Sequence, residues 1–394
     1  MRKTGRIYEE LGITPVINAL GHPTAIGGNT PSPTVRAAME DSLSDYVEMS
    51  ELMDTVGNRI AKMLGVEAAL VTSGAAAALA VGAAACMTGT DVKRIEQLPD
   101  TTGMPNEFVI QRQLRVIYDR ALEIPGGKLV QVGEAGGTRP EHIEAAIGPR
   151  TAGIHYLAGG LYDDPDKRTD SVHIRDVIRI AHARGLPVVV DAAGQVYPTE
   201  RLSKWAQMGA DLVAYGAKYF GALNSSGILV GKKELVQAAR DNSFIGFEAK
   251  KIRAFGRPMK LDRQSVVATY VALREWLTMD HEARIHGYER RLAPIHTKLS
   301  GLPGVTLVRF PEQGLMEGLR VVVDPQAAKM TAQDVVRKLK EGKPKIWVRQ
   351  FAGNPGGHRG RLDSGDDSFI IRMQTVREGD EDIIADRIKA IIAT

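Results

Sequence analysis

Short runs of valine, isoleucine and leucine recur through the N-terminal part and the middle of the chain, separated by longer stretches of mixed polarity. The runs occupy residues 69–72, 107–110, 128–132, 152–157, 186–190 and 211–215. An apolar run of this length is typical of a strand that is buried on both faces, as in a parallel sheet. The pattern therefore predicts an α/β domain, built from βαβ units, with a mostly parallel sheet.

The stretch 171–184 has the pattern of an amphipathic crossover helix. Gly185 follows it as a candidate C-cap, and Pro187 comes shortly afterwards, where a helix cannot continue. This helix would join two of the predicted strands, and a second helix at 201–209 would join the next pair. Both are the connections that parallel strands require.

The pattern changes from about residue 290 onwards. Strands are predicted at 305–310, 319–323, 346–349 and 369–373, and helices at 331–340 and 380–393. Because the connections here are more variable, we predict a large domain at residues 51–289 and a small α+β C-terminal domain at 290–394. The glycine-rich and charged stretch 352–367 is either a solvated surface loop or a lid over the site.

Composition and charge exclude several classes of protein. The 394 residues are 43% hydrophobic and 25% charged, which is typical of a globular protein. The net charge of +4 is spread without a basic block, so no nucleic-acid partner is expected, and no apolar stretch predicts a signal peptide or a membrane span. Cys86 is the single cysteine, which excludes an intrachain disulfide and suits a cytoplasmic protein.

Metal binding is not predicted either. The histidines of the stretch 281–286 stand five residues apart, about 140° around a helix, whereas a zinc-binding pair on a helix needs a spacing of four. We therefore expect a surface helix there and no metal site.

Two charged residues stand at the ends of predicted strands. Asp191 follows the strand 186–190, and Lys218 follows the strand 211–215 between Gly216 and Gly221. Ligands in open α/β sheets bind outside the carboxyl ends of the strands. Each residue alone is commonplace, since an aspartate caps helices and a lysine is usually a surface residue. Together they match the needs of pyridoxal phosphate (PLP), with Lys218 forming the Schiff base and Asp191 pairing with the pyridinium nitrogen.

A third element suits the phosphate group of the same cofactor. Ser73, Gly74 and Ala75 lie where the strand 69–72 passes into a helix of small residues. The start of a helix offers backbone N–H groups and the positive end of its dipole, and small residues let an anion approach. Ordinary helix capping explains such a turn equally well when it is taken alone.

The residue that stacks on the cofactor ring is left open by the sequence. His155, Gln111 and Gln113 are candidates, although a histidine in a strand is more often a core residue. Arg372, in the strand 369–373, carries the planar fork that binds carboxylates, and a structural salt bridge explains it equally well.

Taken together, these residues resemble the selenocysteine synthase-like branch of fold-type-I PLP enzymes, which includes ammonia-lyases acting on D-glucosaminate 6-phosphate. The resemblance covers nearly the whole chain and rests on 16–21, 73–74, Asp191, Lys218, 226–227, 256–260 and 280–281. It implies an aspartate-aminotransferase-like fold and a homodimer or a larger dimer-based oligomer. Residues 1–50 would pack at the subunit interface.

The resemblance also implies further site residues and a reaction. Gln195 and Tyr215 would contact the cofactor, and His22, Thr24 and Arg112 the substrate. The expected reaction is α,β-elimination from an amino acid through a Cα carbanion, giving a 2-keto acid and ammonia. A racemase, an aldolase and a catalytically silent PLP-binding protein remain alternatives.

Three positions depart from the family pattern. Tyr215 stands where relatives have a serine that touches the phosphate, and Leu114 where they have a histidine. Residues 221–224 read Gly-Ala-Leu-Asn instead of Arg-Gly-Pro-Gln. Because phosphate contacts and ring stacking are altered, we expect a substrate other than that of the ammonia-lyase.

Overall fold

The computed structural model describes residues 6–159, 166, 168–312, 315–350 and 367–393. Contacts divide the chain into two compact units. We call Asn29–Thr278 the central unit, and Met1–Gly28 together with Met279–Thr394 the terminal unit. Each unit has its own sheet and its own hydrophobic core.

The strands are numbered in chain order. They are β1 (Val16–Ala19), β2 (Ala68–Thr72), β3 (Glu107–Gln111), β4 (Lys128–Val132), β5 (Thr151–Leu157), β6 (Val188–Asp191), β7 (Leu212–Gly216), β8 (Gly227–Gly231), β9 (Val305–Phe310), β10 (Gly318–Val323), β11 (Lys345–Gln350) and β12 (Ser368–Arg372). Every strand predicted from the sequence is present, with ends that agree to within about two residues. The apolar-run pattern does not predict β1 or β8.

The helices are numbered in the same way. They are α1 (Arg6–Glu10), α2 (Pro33–Ser42), α3 (Met49–Leu64), α4 (Ala75–Thr88), α5 (Val92–Gln97), α6 (Pro140–Ala146), α7 (Ile174–His182), α8 (Arg201–Gln207), α9 (Lys233–Asp241), α10 (Phe244–Lys250), α11 (Arg263–Thr278), α12 (His281–Leu299), α13 (Pro325–Ala328), α14 (Ala332–Glu341) and α15 (Asp380–Ile392). The four helices predicted from periodicity are α7, α8, α14 and α15. Among the described residues, no helix combines the length and the apolar character that crossing a membrane requires.

The sheet of the central unit has seven strands in the order β2-β8-β7-β6-β5-β3-β4. All its pairings are parallel except the two made by β8, which runs antiparallel to β2 and to β7. The predicted mostly parallel sheet is therefore confirmed. Strands β6 and β7 are buried along their whole length, which explains why they appear in the sequence as continuous apolar runs.

Helix α4 packs against this sheet and consists almost entirely of small apolar residues. A Cβ atom added at Gly82 of this helix would lie 3.4 Å from Leu212 Cδ1 in β7. The small side chains therefore let the helix axis approach the sheet closely. The first turn of α4 therefore lies close to the carboxyl end of β2, which directly precedes it in the chain.

The sheet of the terminal unit has the order β1-β11-β12-β10-β9, with β1 parallel to β11 and the other pairings antiparallel. It includes β1 because the side chains of Ile17 and Ala19 are buried in this unit's core. The N-terminal segment predicted as residues 1–50 is consequently divided between the units after Gly28. Whether it lies at a subunit interface stays a prediction.

The C-terminal domain boundary also differs from the predicted one, at residue 290. The terminal unit resumes at Met279, and α12, capped by the Asp280 side chain, packs Leu292, Ile295 and Leu299 into its core. The predicted surface helix at 281–286 is the first part of α12. Of the predicted loop or lid at 352–367, residues 352–366 lie outside the described residues.

Candidate active site

The carboxyl ends of β2, β7 and β6 lie at one edge of the central sheet. Strands β2 and β7 run in the same direction, because both are antiparallel to β8. Neighbouring strands are about 4.8 Å apart, so the turn after β2 is about 10 Å from the end of β7, and β6 is one strand further on. The candidate phosphate turn, Lys218 and Asp191 are therefore brought together, in that order, along this edge.

Asp191 is the last residue of β6 and is only 5% exposed. Its Oδ1 atom accepts a hydrogen bond of 3.0 Å from the backbone N–H of Ala193. Burial raises the pKa of Asp191 to about 6, although the bond from Ala193 works in the opposite direction. A buried carboxylate of this kind gains stability when a cation is placed beside it.

Lys218 lies in a 3-10 turn, Ala217–Phe220, that directly follows β7 and ends at Gly221 with a φ of 100°. Its Nζ atom donates a hydrogen bond of 3.4 Å to Oδ1 of Asn224 and lies 5.4 Å from the centre of the Tyr219 ring. Burial lowers the pKa of Lys218, because an ammonium group loses hydration there. The amine is thus more readily deprotonated than that of a surface lysine.

The turn between β2 and α4 is the candidate phosphate site. Gly74, the N-cap residue, has a φ of 115°, and the first intrahelical bond runs from Ala78 N–H to its carbonyl. The N–H groups of the residues between them are those that a helix leaves for an external acceptor. A Cβ atom at Gly227 in β8 would lie 2.6 Å from the carbonyl carbon of Gly74 and 2.8 Å from Ala75 N. The turn therefore requires glycine at position 227.

Replacing Gly227 by alanine should displace this turn. The added methyl group meets backbone atoms on both sides, and we expect a loss of about 1–3 kcal/mol in the free energy of unfolding together with weaker cofactor binding. Urea unfolding and titration of the cofactor-free protein with PLP would measure both. Gly148→Ala is the matched control, because no atom lies within 4 Å of its Cβ position. Equal cofactor affinity in the two variants would contradict the assigned turn.

The side chains of Tyr215 and Gln195 lie away from the turn between β2 and α4. Ala214 pairs with Asp191, so Tyr215, the next residue along β7, points to the opposite face of the sheet. There its hydroxyl group donates to the carbonyl of Arg201 over 2.7 Å. The guanidinium of Arg201 donates over 2.7 Å to Oε1 of Gln195, which is fully buried. These contacts join the two residues to α8.

Three residues, His155, Gln111 and Gln113, are candidates for stacking on the cofactor ring. Of these, His155 alone keeps a polar atom without a hydrogen-bond partner among the described residues. It is fully buried in β5, its Nδ1 atom lies 3.2 Å from the Val189 carbonyl oxygen, and its Nε2 atom has no hydrogen-bond partner among the described residues. Burial lowers the pKa of His155 to about 4, so the ring is neutral. Gln111 instead bonds to both backbone groups of Val172.

The three residues that follow β3 are Arg112, Gln113 and Leu114. Gln113 accepts from Thr138 over 2.6 Å and donates to the carbonyl of Glu134 over 2.7 Å. Leu114 is buried, and Arg112 is exposed. Because the side-chain amides of Gln111 and Gln113 are engaged in these hydrogen bonds, neither glutamine is available to stack on the cofactor ring.

Sequence reasoning missed Asp119, a buried carboxylate in the 3-10 turn Asp119–Leu122. It pairs with the side chain of Arg115, and its charge raises the pKa of both Asp191 and His155. The i, i+4 spacing of Arg115 and Asp119 was the available signal. It was not informative in a segment without helical periodicity.

The remaining predicted residues belong to the terminal unit. Arg372 ends β12, is 5% exposed and lies against the turn at Gly21, where an added Cβ atom would be 3.1 Å from its Nη1 atom. His22 follows in this turn and is half-buried, and Thr24 begins an exposed 3-10 turn. Arg372 therefore lies against Gly21, the residue that precedes His22.

The chain is similar to known proteins, two of which it matches over nearly their full length. The chain is 31% identical over 384 residues to 5'-C-glycyluridine monooxygenase-decarboxylase of a Streptomyces species, covering 93% of this chain and 91% of the relative. It is 29% identical over 395 residues to D-glucosaminate-6-phosphate ammonia lyase of Salmonella typhimurium, covering 98% of both. L-seryl-tRNA(Sec) selenium transferase of Moorella thermoacetica is 25% identical over 308 residues, 70% of this chain and 59% of that relative.

The chain belongs to the selenocysteine synthase-like family of fold-type-I PLP enzymes. A solved structure of D-glucosaminate-6-phosphate ammonia-lyase superposes with a TM-score of 0.83 at 28% identity, covering 99% of both chains. This match confirms the aspartate-aminotransferase-like fold. No family model matches the chain.

As a member of this family the chain uses PLP, and its own residues fit that group. The helix start that Gly227 keeps open suits a phosphate dianion. The raised pKa of buried Asp191 indicates a carboxylate that lacks a compensating cation, which a protonated ring nitrogen supplies. Lys218, one strand from Asp191, is the amine that the sequence predicts for the Schiff base.

Proposed function

We propose that this protein catalyses α,β-elimination from an amino acid, releasing a 2-keto acid and ammonia. The observation that carries the proposal is the position of Lys218, whose pKa is lowered by burial, one strand from the buried Asp191 at the carboxyl edge of the sheet. It is supported by the full-length similarity to an ammonia lyase, at 29% identity. PLP, when bound, stabilises negative charge at the Cα atom of an amino acid.

The chain's own residues supply the remaining parts of the reaction. The Nζ amine of Lys218 takes the Cα proton and returns it to the departing β-substituent. The carboxylate of Asp191 keeps a proton at the ring nitrogen, and the start of α4 at Gly74 binds the phosphate. Ser73 and Ala75 complete the proposed cofactor surroundings, whereas the side chains of Gln195 and Tyr215 are held against α8.

We assign the contacts with the substrate to charged and polar residues. The guanidinium of Arg372 suits the α-carboxylate, because its planar fork donates two parallel hydrogen bonds. His22, Thr24 and Arg112 are proposed as further substrate contacts. The altered positions Leu114 and Tyr215 support a substrate different from D-glucosaminate 6-phosphate.

Oxidative decarboxylation of an amino acid is a second candidate. It is favoured by the 31% identity with a relative named as a monooxygenase-decarboxylase, over 93% of the chain. Such a reaction consumes O2 and releases CO2, whereas elimination needs no oxidant. Neither relative's name favours a racemase, an aldolase or a catalytically silent protein.

A screen of D- and L-amino acids that carry a β-hydroxyl group, sugar-derived acids included, would test the two candidates. Ammonia and 2-keto acid are measured under nitrogen and under air, with O2 uptake and CO2 release recorded in parallel. Equal amounts of keto acid and ammonia under nitrogen would support elimination. Turnover that requires air and releases CO2 would replace it with oxidative decarboxylation, and no turnover in either condition would overturn both.

We further propose that the protein is a cytoplasmic homodimer or a larger dimer-based oligomer. Several large apolar side chains are exposed in segments of the central unit. They are Leu43, Tyr46, Val47, Ile117, Tyr118 and Ile124, with Tyr46 95% exposed. Large apolar side chains left exposed in two segments support an interface between subunits there. Ile7, Leu11 and Ile13 of the terminal unit are exposed as well.

The double substitution Tyr46→Asp and Val47→Asp should shift the protein to a monomer of 42.7 kDa, because two charges would be buried in the interface. Sedimentation velocity measures the mass. Val92→Asp is the control, since Val92 is 47% exposed but lies outside these segments. A wild-type protein that sediments as a monomer would rule out the interface.

A further inference from the structure

The segment 217–226 between β7 and β8, which we call the lysine loop, carries Lys218 and closes on its own first residue. The backbone N–H of Ala217 donates to the carbonyl of Ser226 over 2.9 Å, and the carbonyl of Ala217 accepts from the N–H of Ala222 over 3.0 Å. The two ends and the middle of the lysine loop are therefore joined by backbone hydrogen bonds.

Two side chains fix the second half of the lysine loop. Ser226 is only 1% exposed, and its Oγ atom donates to the carbonyl of Leu223 over 2.7 Å. Asn29, which lies shortly before α2, donates from Nδ2 to the carbonyl of Ala222 over 3.1 Å. Asn224 directly follows Leu223, so the backbone on both sides of Asn224 is held in place.

The side chain of Asn224 contacts the amine of Lys218. The Nζ atom of Lys218 donates to Oδ1 of Asn224 over 3.4 Å, and both side chains are half-buried. This distance is longer than the usual range of about 2.7–3.2 Å for a hydrogen bond. The contact therefore gives the amine a direction without holding it tightly, which suits a group that must react.

The ring of Tyr219 is a second contact of the amine. A Cβ atom added at Gly216 would lie 3.1 Å from Cδ2 and from Cε2 of Tyr219, so the ring lies against the backbone of Gly216. The Nζ atom of Lys218 is 5.4 Å from the centre of the ring, within the reach of about 6 Å over which a ring face attracts a cation. The ring and the amide of Asn224 are both uncharged.

The absence of charge on Asn224 matters for the chemistry of the amine. An amide oxygen accepts a hydrogen bond from a neutral amine and from an ammonium group alike, whereas a carboxylate at the same place would favour the ammonium form. Burial lowers the pKa of Lys218, and a carboxylate at position 224 would act against this effect. Asparagine directs the amine and still allows it to lose its proton.

We propose that Asn224 is a positioning residue for Lys218. Its amide oxygen holds the amine in one direction for the reaction with PLP and, being uncharged, leaves the amine able to gain and lose a proton. The inference deepens the proposed function and rests on it in one respect, because it takes Lys218 as the amine that carries PLP.

The first test replaces Asn224 by aspartate, which keeps the shape of the side chain and adds a negative charge. Acetic anhydride, which reacts with neutral amines, is applied to the full-length protein after removal of PLP, since PLP occupies the amine. Peptide mapping by mass spectrometry then gives the labelling rate of Lys218. At pH 7 we expect Asn224→Asp to lower this rate about tenfold or more, because an opposite charge within about 4–6 Å favours the ammonium form.

Two comparisons make this labelling test specific. The difference between Asn224→Asp and the wild type should shrink at pH 11, where the amine is neutral in a larger fraction of both proteins. Asn58→Asp adds the same charge at an exposed position of α3 and should label Lys218 at the wild-type rate. A residue that serves the fold alone would not change the labelling rate of Lys218 in this pH-dependent way.

The second test replaces Asn224 by leucine, which has a similar size but accepts no hydrogen bond. The attachment of added PLP, followed by its visible absorbance in a stopped-flow instrument, should slow about tenfold, because misplacing a reacting group by about 1 Å can cost about a hundredfold. Asn58→Leu is the matched control and should attach PLP at the wild-type rate. Urea unfolding shows whether each variant is folded.

A wild-type labelling rate of Lys218 in Asn224→Asp would overturn the inference, and so would a wild-type rate of PLP attachment in folded Asn224→Leu. If the leucine variant does not fold, the labelling test decides alone, because aspartate has the shape of asparagine. Neither measurement uses an amino-acid substrate. Absent turnover in the amino-acid screen, with both effects present, would therefore count against elimination alone.

Discussion

Replacing Lys218 by glutamine should abolish the visible absorbance of bound PLP and reduce turnover by at least about a thousandfold. The amine of Lys218 holds the cofactor and also moves the Cα proton, and general acid–base catalysis alone contributes about a hundredfold to ten-thousandfold. The side chain sits in a half-buried site where its pKa is lowered, so no surface lysine matches it. Borohydride reduction followed by peptide mapping would measure the attachment.

Lys233→Gln is the matched control for this experiment. Lys233 begins α9, shortly after β8, and its side chain is exposed. The control should keep both the absorbance and the reduced cofactor on the peptide that contains residue 218. Cofactor fixed by borohydride in the Lys218→Gln variant would show that another amine carries it, and the assigned site would be wrong.

Replacing Asp191 by asparagine should lower the rate of Cα-hydrogen exchange by about a hundredfold to a thousandfold, the usual effect of removing one charge partner from a preorganised site. The amide keeps the hydrogen bond from Ala193 because its oxygen still accepts, so the geometry is retained. It cannot, however, balance a positive charge at the ring nitrogen. Deuterium uptake at Cα, followed by NMR, measures the rate.

The stability of the cofactor-free protein distinguishes this loss from misfolding. Burial raises the pKa of Asp191 to about 6, above the ordinary value of 3.8, so its contribution to stability is full below pH 3.8 and is lost as the pH rises through 6. Without cofactor, Asp191→Asn should therefore be more stable than the wild type above pH 6, by at most about 3 kcal/mol. The difference should shrink towards pH 4.

Urea unfolding at pH 5 and pH 8 measures that difference. Asp176→Asn, on the exposed surface of α7, is the control and should change neither stability nor exchange. A variant at Asp191 that exchanges the Cα hydrogen at the wild-type rate would remove this residue from the mechanism. A destabilised variant would show that the charge is already balanced in the cofactor-free protein.

The fold was predictable where burial is a local property of the sequence. Strands β5, β6 and β7 are buried along nearly their whole length, so each appears as an apolar run bounded by polar residues. Strand β1 has only four residues and pairs with β11 near the other end of the chain. Its pairing depends on a partner that no local pattern can reveal, and the domain boundaries differ from the predicted ones for the same reason.

The candidate site was likewise predictable only in part. The positions of Lys218 and Asp191 follow from the strands that they end, because the carboxyl ends of parallel strands share an edge. The direction of Tyr215 could have been predicted from alternation, but its partner, the carbonyl of Arg201, could not. The family pattern alone suggested a cofactor contact for Tyr215.

Most of the strands, four of the helices, the family and the residues at the carboxyl edge could thus be predicted from the residues alone, since these depend on short segments and their spacing. The influence of Asp119 on Asp191 and the requirement for glycine at position 227 emerge only in the folded chain. Each of these depends on burial and on distances between residues far apart in the chain. Such distances exist only once the strands have paired.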